Sequence, residues 1–133
     1  MIEETLVIIK PDGVKRKVAG EIIRRFEMKM MEIVDIKMVV LKKEEAEKLY
    51  EMHRGKDFFE QLIRYTISGP AIALKLRGEG AIVNCRIIVG DTYPEKRIPG
   101  SIRGDFSPDL TENVVHASSS KEDAQREIKL FFE

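Results

Sequence analysis

Two histidines, His53 and His116, and one cysteine, Cys85, are the chain's only imidazoles and thiol. His116 follows Asn113-Val114-Val115 and precedes Ala117 and the run Ser118-Ser119-Ser120. The apolar pair reads as the end of a strand, and Lys121 to Phe132 reads as a helix. Ser120 and Asp123 have the spacing of a capping box at its start. A histidine between a strand end and a helix N-terminus stands where backbone N–H groups gather and favour an anion. A neutral imidazole there could act as a nucleophile. Position alone favours a plainer alternative, a half-buried strand histidine bonded to backbone. Cations elsewhere bear on the choice. Lys10 ends an apolar run beside the turn Pro11-Asp12-Gly13, Arg86 falls outside a helix's apolar stripe, and Arg103 shares a loop with Thr92. Taken singly, each reads as a surface residue.

The elements that must position these residues follow from periodicity. Thr5 to Ile9 is a continuous, mostly β-branched run, which predicts a strand buried on both faces and therefore central. Val18, Ile22, Ile23, Phe26 and Met30 recur at helical spacing. Ile33 to Leu41 alternates, with Val34, Ile36, Met38 and Val40 on the face expected to be buried. Lys43 to His53 is helical again through Ala46, Leu49 and Tyr50, which puts His53 on the apolar stripe as a packed residue, not a ligand. Phe58-Phe59 opens another helix. One ring is expected in the core and the other exposed as a stacking platform. A short strand over Ala71 to Leu76, a turn at Gly78 and a helix through Ala81, Ile82, Cys85, Ile88 and Val89 follow. Gly90 to Glu112 has no periodicity and holds three prolines, which predicts a long functional loop. In the last helix Ala124, Ile128 and Phe131 mark the buried face, with Glu127 at its edge. Strands separated by helices predict an α+β layered sheet, and a four-stranded βαββαβ arrangement is the economical one. A small doubly wound parallel sheet is the competitor.

Composition narrows the function. A chain of 133 residues suits one domain over 1–133 with a real core. Its formal net charge is zero, so nothing draws the whole molecule to nucleic acid or an anionic membrane. One cysteine excludes an intrachain disulfide, and two histidines with one cysteine cannot build a Cys/His metal site. Acidic residues directly after Met1 and the lack of any membrane-length apolar run predict a cytoplasmic protein.

Four strings stand in order: Lys10-Pro11-Asp12-Gly13-Val14, Ser68-Gly69-Pro70, Pro99-Gly100-Ser101-Ile102-Arg103-Gly104-Asp105-Phe106, and Asn113-Val114-Val115-His116-Ala117-Ser118. Together, over nearly the whole chain, they resemble the nucleoside diphosphate kinase family. The resemblance implies a ferredoxin-like antiparallel sheet covered by helices. It also implies ping-pong transfer of a γ-phosphoryl group from a nucleoside triphosphate such as ATP or GTP to a diphosphate such as GDP. The phosphorylated histidine matches His116, and the residues that orient it match Ser118 and Glu127. The tyrosine beside it matches Tyr50. Phosphate contacts match Lys10, Arg86, Thr92 and Arg103, and the ribose contact matches Asn113. The base would stack on Phe58 with Leu110 on its other side, an arrangement tolerant of base identity. Mg²⁺ would arrive with the nucleotide phosphates and not in a protein cage. A homo-oligomer is implied, most often a hexamer and less often a tetramer, with no obligatory nucleic acid and no membrane.

The chain departs from the family pattern in having Ser119 where an aspartate is usual and Thr111-Glu112 where Gly-Arg is usual. It also ends at Glu133, before the further tail that members commonly carry. These departures motivate a second reading, a nucleotide-binding regulatory module with weak or no turnover. Arg103 has two candidate roles of its own. It could stabilise phosphate charge, or it could hold the loop through a carboxylate such as Asp105.

Overall fold

The computed structural model describes residues 1–109 and 112–132. Strand β1 (Ile2–Ile9) leads into a short helix α1 (Pro11–Lys15) and then α2 (Ala19–Met28). Strand β2 (Glu32–Val39) is followed by α3 (Lys43–Leu49), a 3₁₀ turn (Glu51–His53) and α4 (Phe59–Thr66). Strand β3 (Ala71–Glu79), helix α5 (Ala81–Val89), a second 3₁₀ turn (Pro94–Lys96) and α6 (Ile102–Phe106) come next. Strand β4 (Val115–Ala117) and α7 (Lys121–Phe132) complete the order. The sheet runs β2-β3-β1-β4 with every pairing antiparallel. This is the ferredoxin-like βαββαβ arrangement, and the parallel competitor is excluded.

β1 is central, as its run of apolar residues requires. Leu6, Val7, Ile8 and Ile9 are all buried, and they feed two separate cores. Val7 and Ile9 pack with Ile22 and Phe26 of α2 and Cys85 and Val89 of α5. Leu6 and Ile8 pack with Leu49 of α3, Ile63 of α4 and Ile128 and Phe131 of α7. The period-2 alternation of β1 thus joins two helical layers, one on each face of the sheet.

Four expectations need correction. Pro11-Asp12-Gly13 is the first turn of α1, with proline at the position where its missing N–H costs nothing. The alternating residues of β2 do not form a buried face: Ile36, Met38 and Val40 are exposed. β2 is the sheet edge, and its register slips between Ile33 and Asp35. That bulge adds one residue and breaks the alternation read from the sequence. Gly78 lies inside β3, where an added Cβ would come within 2.6 Å of the Met31 sulfur; the turn is at Gly80, whose φ is +53°. The long loop is not structureless, since it contains the second 3₁₀ turn and α6.

Candidate active site

A cleft of about 380 Å³ opens at the C-terminal end of β1, in the size range of small-molecule sites. His116, from the middle of β4, and Lys10, the residue after β1, both line it. They come together because β4 pairs with β1, with His116 opposite Ile8.

A tight turn sets both residues. The Val115 N–H donates to the Asn113 carbonyl at 2.8 Å, closing a three-residue turn around Val114. Val114 has φ of +75°, a strained conformation for a β-branched residue. The turn persists because Val114 is fully buried and its carbonyl accepts the Lys10 N–H at 2.8 Å. Strain of this kind gathers at functional sites. Here it aims Asn113 and His116 into one cleft.

At the β4 end, His116 Nε2 lies 2.8 Å from Glu127 Oε1. Ser118 Oγ donates to the same oxygen at 2.8 Å, and Arg126 approaches the other carboxylate oxygen at 3.4 Å. Glu127 is 1 % exposed, so it is a buried acid and not a solvated residue at a helix edge. With a carboxylate at Nε2, that nitrogen is assigned the proton and Nδ1 keeps its lone pair. The Tyr50 ring meets the His116 ring edge-on at 5.5 Å. Burial pushes the Tyr50 phenol pKa up, which keeps it neutral. Ser119 does not leave the helix uncapped: the Asp123 N–H donates to Ser120 Oγ at 3.1 Å, and Ser119 Oγ donates to Asp123 at 2.6 Å.

At the β1 end, Lys10 is 3 % exposed and donates to Asn113 Oδ1 at 2.7 Å. Burial, followed by the nearby Arg103 cation, pushes the Lys10 amine pKa down to about 7. Arg103, on α6, donates to the carbonyls of Gly90 and Val115 at 3.2 and 2.8 Å and to Thr92 Oγ1 at 3.2 Å. Burial lowers its pKa to about 10. Asp105 is not its partner, since that carboxylate pairs with Arg25 at 2.6 Å and accepts the Gly100 N–H. Gly104 permits close approach: an added Cβ would fall 2.1 Å from the Ile98 carbonyl oxygen. Arg86 enters from α5, with its NH1 group 3.4 Å from the Ala117 carbonyl.

Nine of the ten expected site residues line this one cleft. The tenth, Ser118, is fully buried behind Glu127. The Phe58-Phe59 pair divides as expected, with Phe59 5 % exposed and Phe58 39 % exposed. Leu110 lies outside the described residues.

His53 was placed wrongly by its spacing. α3 ends at Leu49, and His53 stands on the following 3₁₀ turn, partly exposed, lining the cleft between Tyr50 and Phe58. Its pKa is lowered by burial and then by the neighbouring Lys56. Arg54-Gly55, directly after it, is the signal that could have ended the helix earlier. Asp12 was read only as a turn residue. It is 9 % exposed, and both its carboxylate oxygens are buried without a hydrogen-bond partner among the described residues.

Comparison with known proteins adds to this geometry. Residues 3–133 match the family model described as Nucleoside diphosphate kinase. A protein of that name from Hyperthermus butylicus is 54% identical over 131 residues, covering 98% of this chain and 92% of its own length. One from Methanocaldococcus jannaschii is 53% identical over 132 residues, covering 99% and 94%. The solved structure of the Aquifex aeolicus nucleoside diphosphate kinase superposes with a TM-score of 0.95 at 40% identity, covering 100% of this chain and 96% of its own. That of the Halobacterium salinarum enzyme in complex with CDP gives 0.95 at 37% identity, covering 100% and 89%.

Proposed function

The chain belongs to the nucleoside diphosphate kinase family, and from that premise we propose that His116 Nδ1 is the nucleophile of its phosphoryl transfer. The enzyme moves the γ-phosphoryl group of a nucleoside triphosphate to a nucleoside diphosphate. In the first half-reaction the Nδ1 lone pair attacks the γ-phosphorus, and the bond to the β,γ-bridging oxygen breaks. The nucleoside diphosphate leaves with that electron pair. In the second, a terminal β-phosphate oxygen of another diphosphate attacks the phosphorus, and the N–P bond electrons return to Nδ1. The observation that carries this reading is the His116–Glu127–Ser118 chain, with both contacts at 2.8 Å. It holds the ring in one tautomer with the attacking nitrogen free.

The other residues supply position and charge, which this chemistry needs most. Lys10, Arg86, Thr92 and Arg103 surround the phosphates and Asn113 the ribose. Phe58 carries the base by stacking, so the enzyme accepts varied bases. Among the described residues no three acidic, histidine or cysteine side chains are grouped to hold a metal. Mg²⁺ would arrive on the nucleotide phosphates, where it would neutralise charge. Nucleoside di- and triphosphates are the partners, with no nucleic acid or membrane required. The regulatory alternative is not favoured, since the family model and the named relatives support the kinase.

Residues 1–133 act as one domain in this reading, in the cytoplasm. No helix among the described residues is long and apolar enough to cross a membrane. We also propose a homo-oligomer, hexameric in the first instance. Exposed Ile36, Met38 and Val40 on the open edge of the sheet support it. A clean monomer by light scattering at micromolar concentration contradicts it. The covalent step has its own kinetic test. Varying ATP and GDP together gives parallel double-reciprocal lines; intersecting lines mean a ternary complex and overturn the phosphohistidine.

A further inference from the structure

We propose that Asp12 is a positioning residue that keeps Lys10 cationic for the nucleotide phosphates. This rests on reading Lys10 as a phosphate contact and adds to it the group that sets its charge. Lys10 is the residue before α1, and Asp12 stands two residues on, in the helix's first turn. Both are buried. The Lys10 ammonium donates to a neutral amide oxygen, Asn113 Oδ1, and makes no ion pair among the described residues. It lies over the rings of Tyr50 and Tyr65 at 5.3 and 5.7 Å. Direct bonds therefore do not account for a charge at this place.

The fields around it do. Arg103 faces Lys10 from α6, and His53 faces it from the 3₁₀ turn after α3. Both disfavour its charge when they are themselves cationic. Asp12 is the acid that acts the other way on Lys10. Burial pushes the Asp12 carboxyl up and Glu112, before β4, adds to that, while Lys10 itself, the Gly13 backbone N–H and Arg16 at the end of α1 favour its ionised form. A carboxylate with both oxygens buried and no side-chain partner is costly. In a site of low dielectric, the same lack of partners leaves its field on the neighbouring ammonium unscreened. With burial and Arg103 drawing the Lys10 amine down to about 7, a modest change in that field changes its charge at working pH.

The test is Asp12→Asn, read in two ways. The Lys10 side chain is titrated by NMR in nucleotide-free protein, and kcat/KM is measured against pH. The expected result is that the Lys10 titration and the alkaline limb of kcat/KM both move acidward by about one pH unit. Above the limb that is a loss of about tenfold in kcat/KM. Asp12→Glu, which keeps the charge, restores both. An unmoved Lys10 titration in a folded Asp12→Asn protein overturns the proposal, even if its melting temperature falls. A moved titration with an unmoved kcat/KM profile upholds the coupling and instead overturns Lys10 as a phosphate contact. If Asp12→Asn does not fold, Asp12→Ser takes its place in the same two measurements, with the same expected result and the same overturning one.

Discussion

Two buried carboxylates, Glu127 lining the cleft beside His116 and Asp12 two residues from Lys10, are built in opposite ways. Glu127 is bonded on both oxygens, to His116 and Ser118 on one and Arg126 on the other. Asp12 has no side-chain partner on either oxygen, and only the Gly13 backbone N–H acts on it as a donor. A fully bonded acid fixes geometry, because moving the ring would break charge-assisted bonds in a dry place. An acid with no side-chain partner fixes little geometry and acts through its field. The His116 end is therefore organised for orientation and the Lys10 end for charge. The two are neighbours because β4 pairs with β1 and the Val114 carbonyl accepts the Lys10 N–H.

Changes at the His116 end should have the largest effects and leave the fold intact. His116→Ala should lower kcat by a factor on the order of 10⁴ or more, since it removes the covalent route. Circular dichroism should be unchanged, because β4 is held by its pairing with β1 and not by this ring. Retention of even roughly a tenth of the activity shows that another group is the nucleophile.

Arg103 lies between the two ends and should show a mixed effect. Its guanidinium ties the segments around Gly90 and Thr92 to Val115 through three acceptors while facing the cleft. Lysine keeps the charge but cannot make the forked contacts. Arg103→Lys should lower kcat/KM by about 1–3 kcal/mol equivalent and also lower Tm. A fall in Tm with kcat/KM unchanged makes Arg103 a purely structural tie.

The Lys10 end should give the smallest effect on stability and the most pH-dependent one. The folded-state pKa of Lys10, about 7, lies below its ordinary value of 10.5. Between those pH values the unfolded chain binds more protons, so this group makes stability rise with pH across that window. Below pH 7 both states are protonated, and the folded state bears the full cost of a buried cation. Lys10→Met should therefore raise Tm at pH 6, and the gain should shrink as pH rises toward 10.5, while kinase activity is lost. A gain independent of pH contradicts the buried-cation account.

The legibility of these regions in the sequence follows their physics. β1 was readable because a strand covered on both faces must be apolar at every position. The apolar positions of α7 were readable because its 3.6-residue period survives over the whole helix, and Glu127 stands beside them. β2 misled because an edge strand with a bulge changes face midway, which leaves Ile36 and Met38 exposed. His53 misled because three residues of 3₁₀ helix continue an α-helical spacing closely enough to look like one more turn. The grouping of the candidate residues was more legible than the elements. The family strings contain Lys10, Arg103, Asn113 and His116, and the structure brings all four to one cleft. They also contain Asp12, but nothing in the string separates a turn former from a buried acid. That distinction needed the burial of its oxygens.

The central claim is that His116 carries the phosphoryl group between nucleotides. Its most direct measurement is incubation with γ-labelled ATP and Mg²⁺, followed by removal of free nucleotide, mapping of the label and addition of GDP. The account predicts acid-labile, base-stable label on His116 Nδ1 that passes to GDP as GTP and is lost in His116→Ala. Label on another residue, or transfer to GDP with no labelled protein formed, would contradict it.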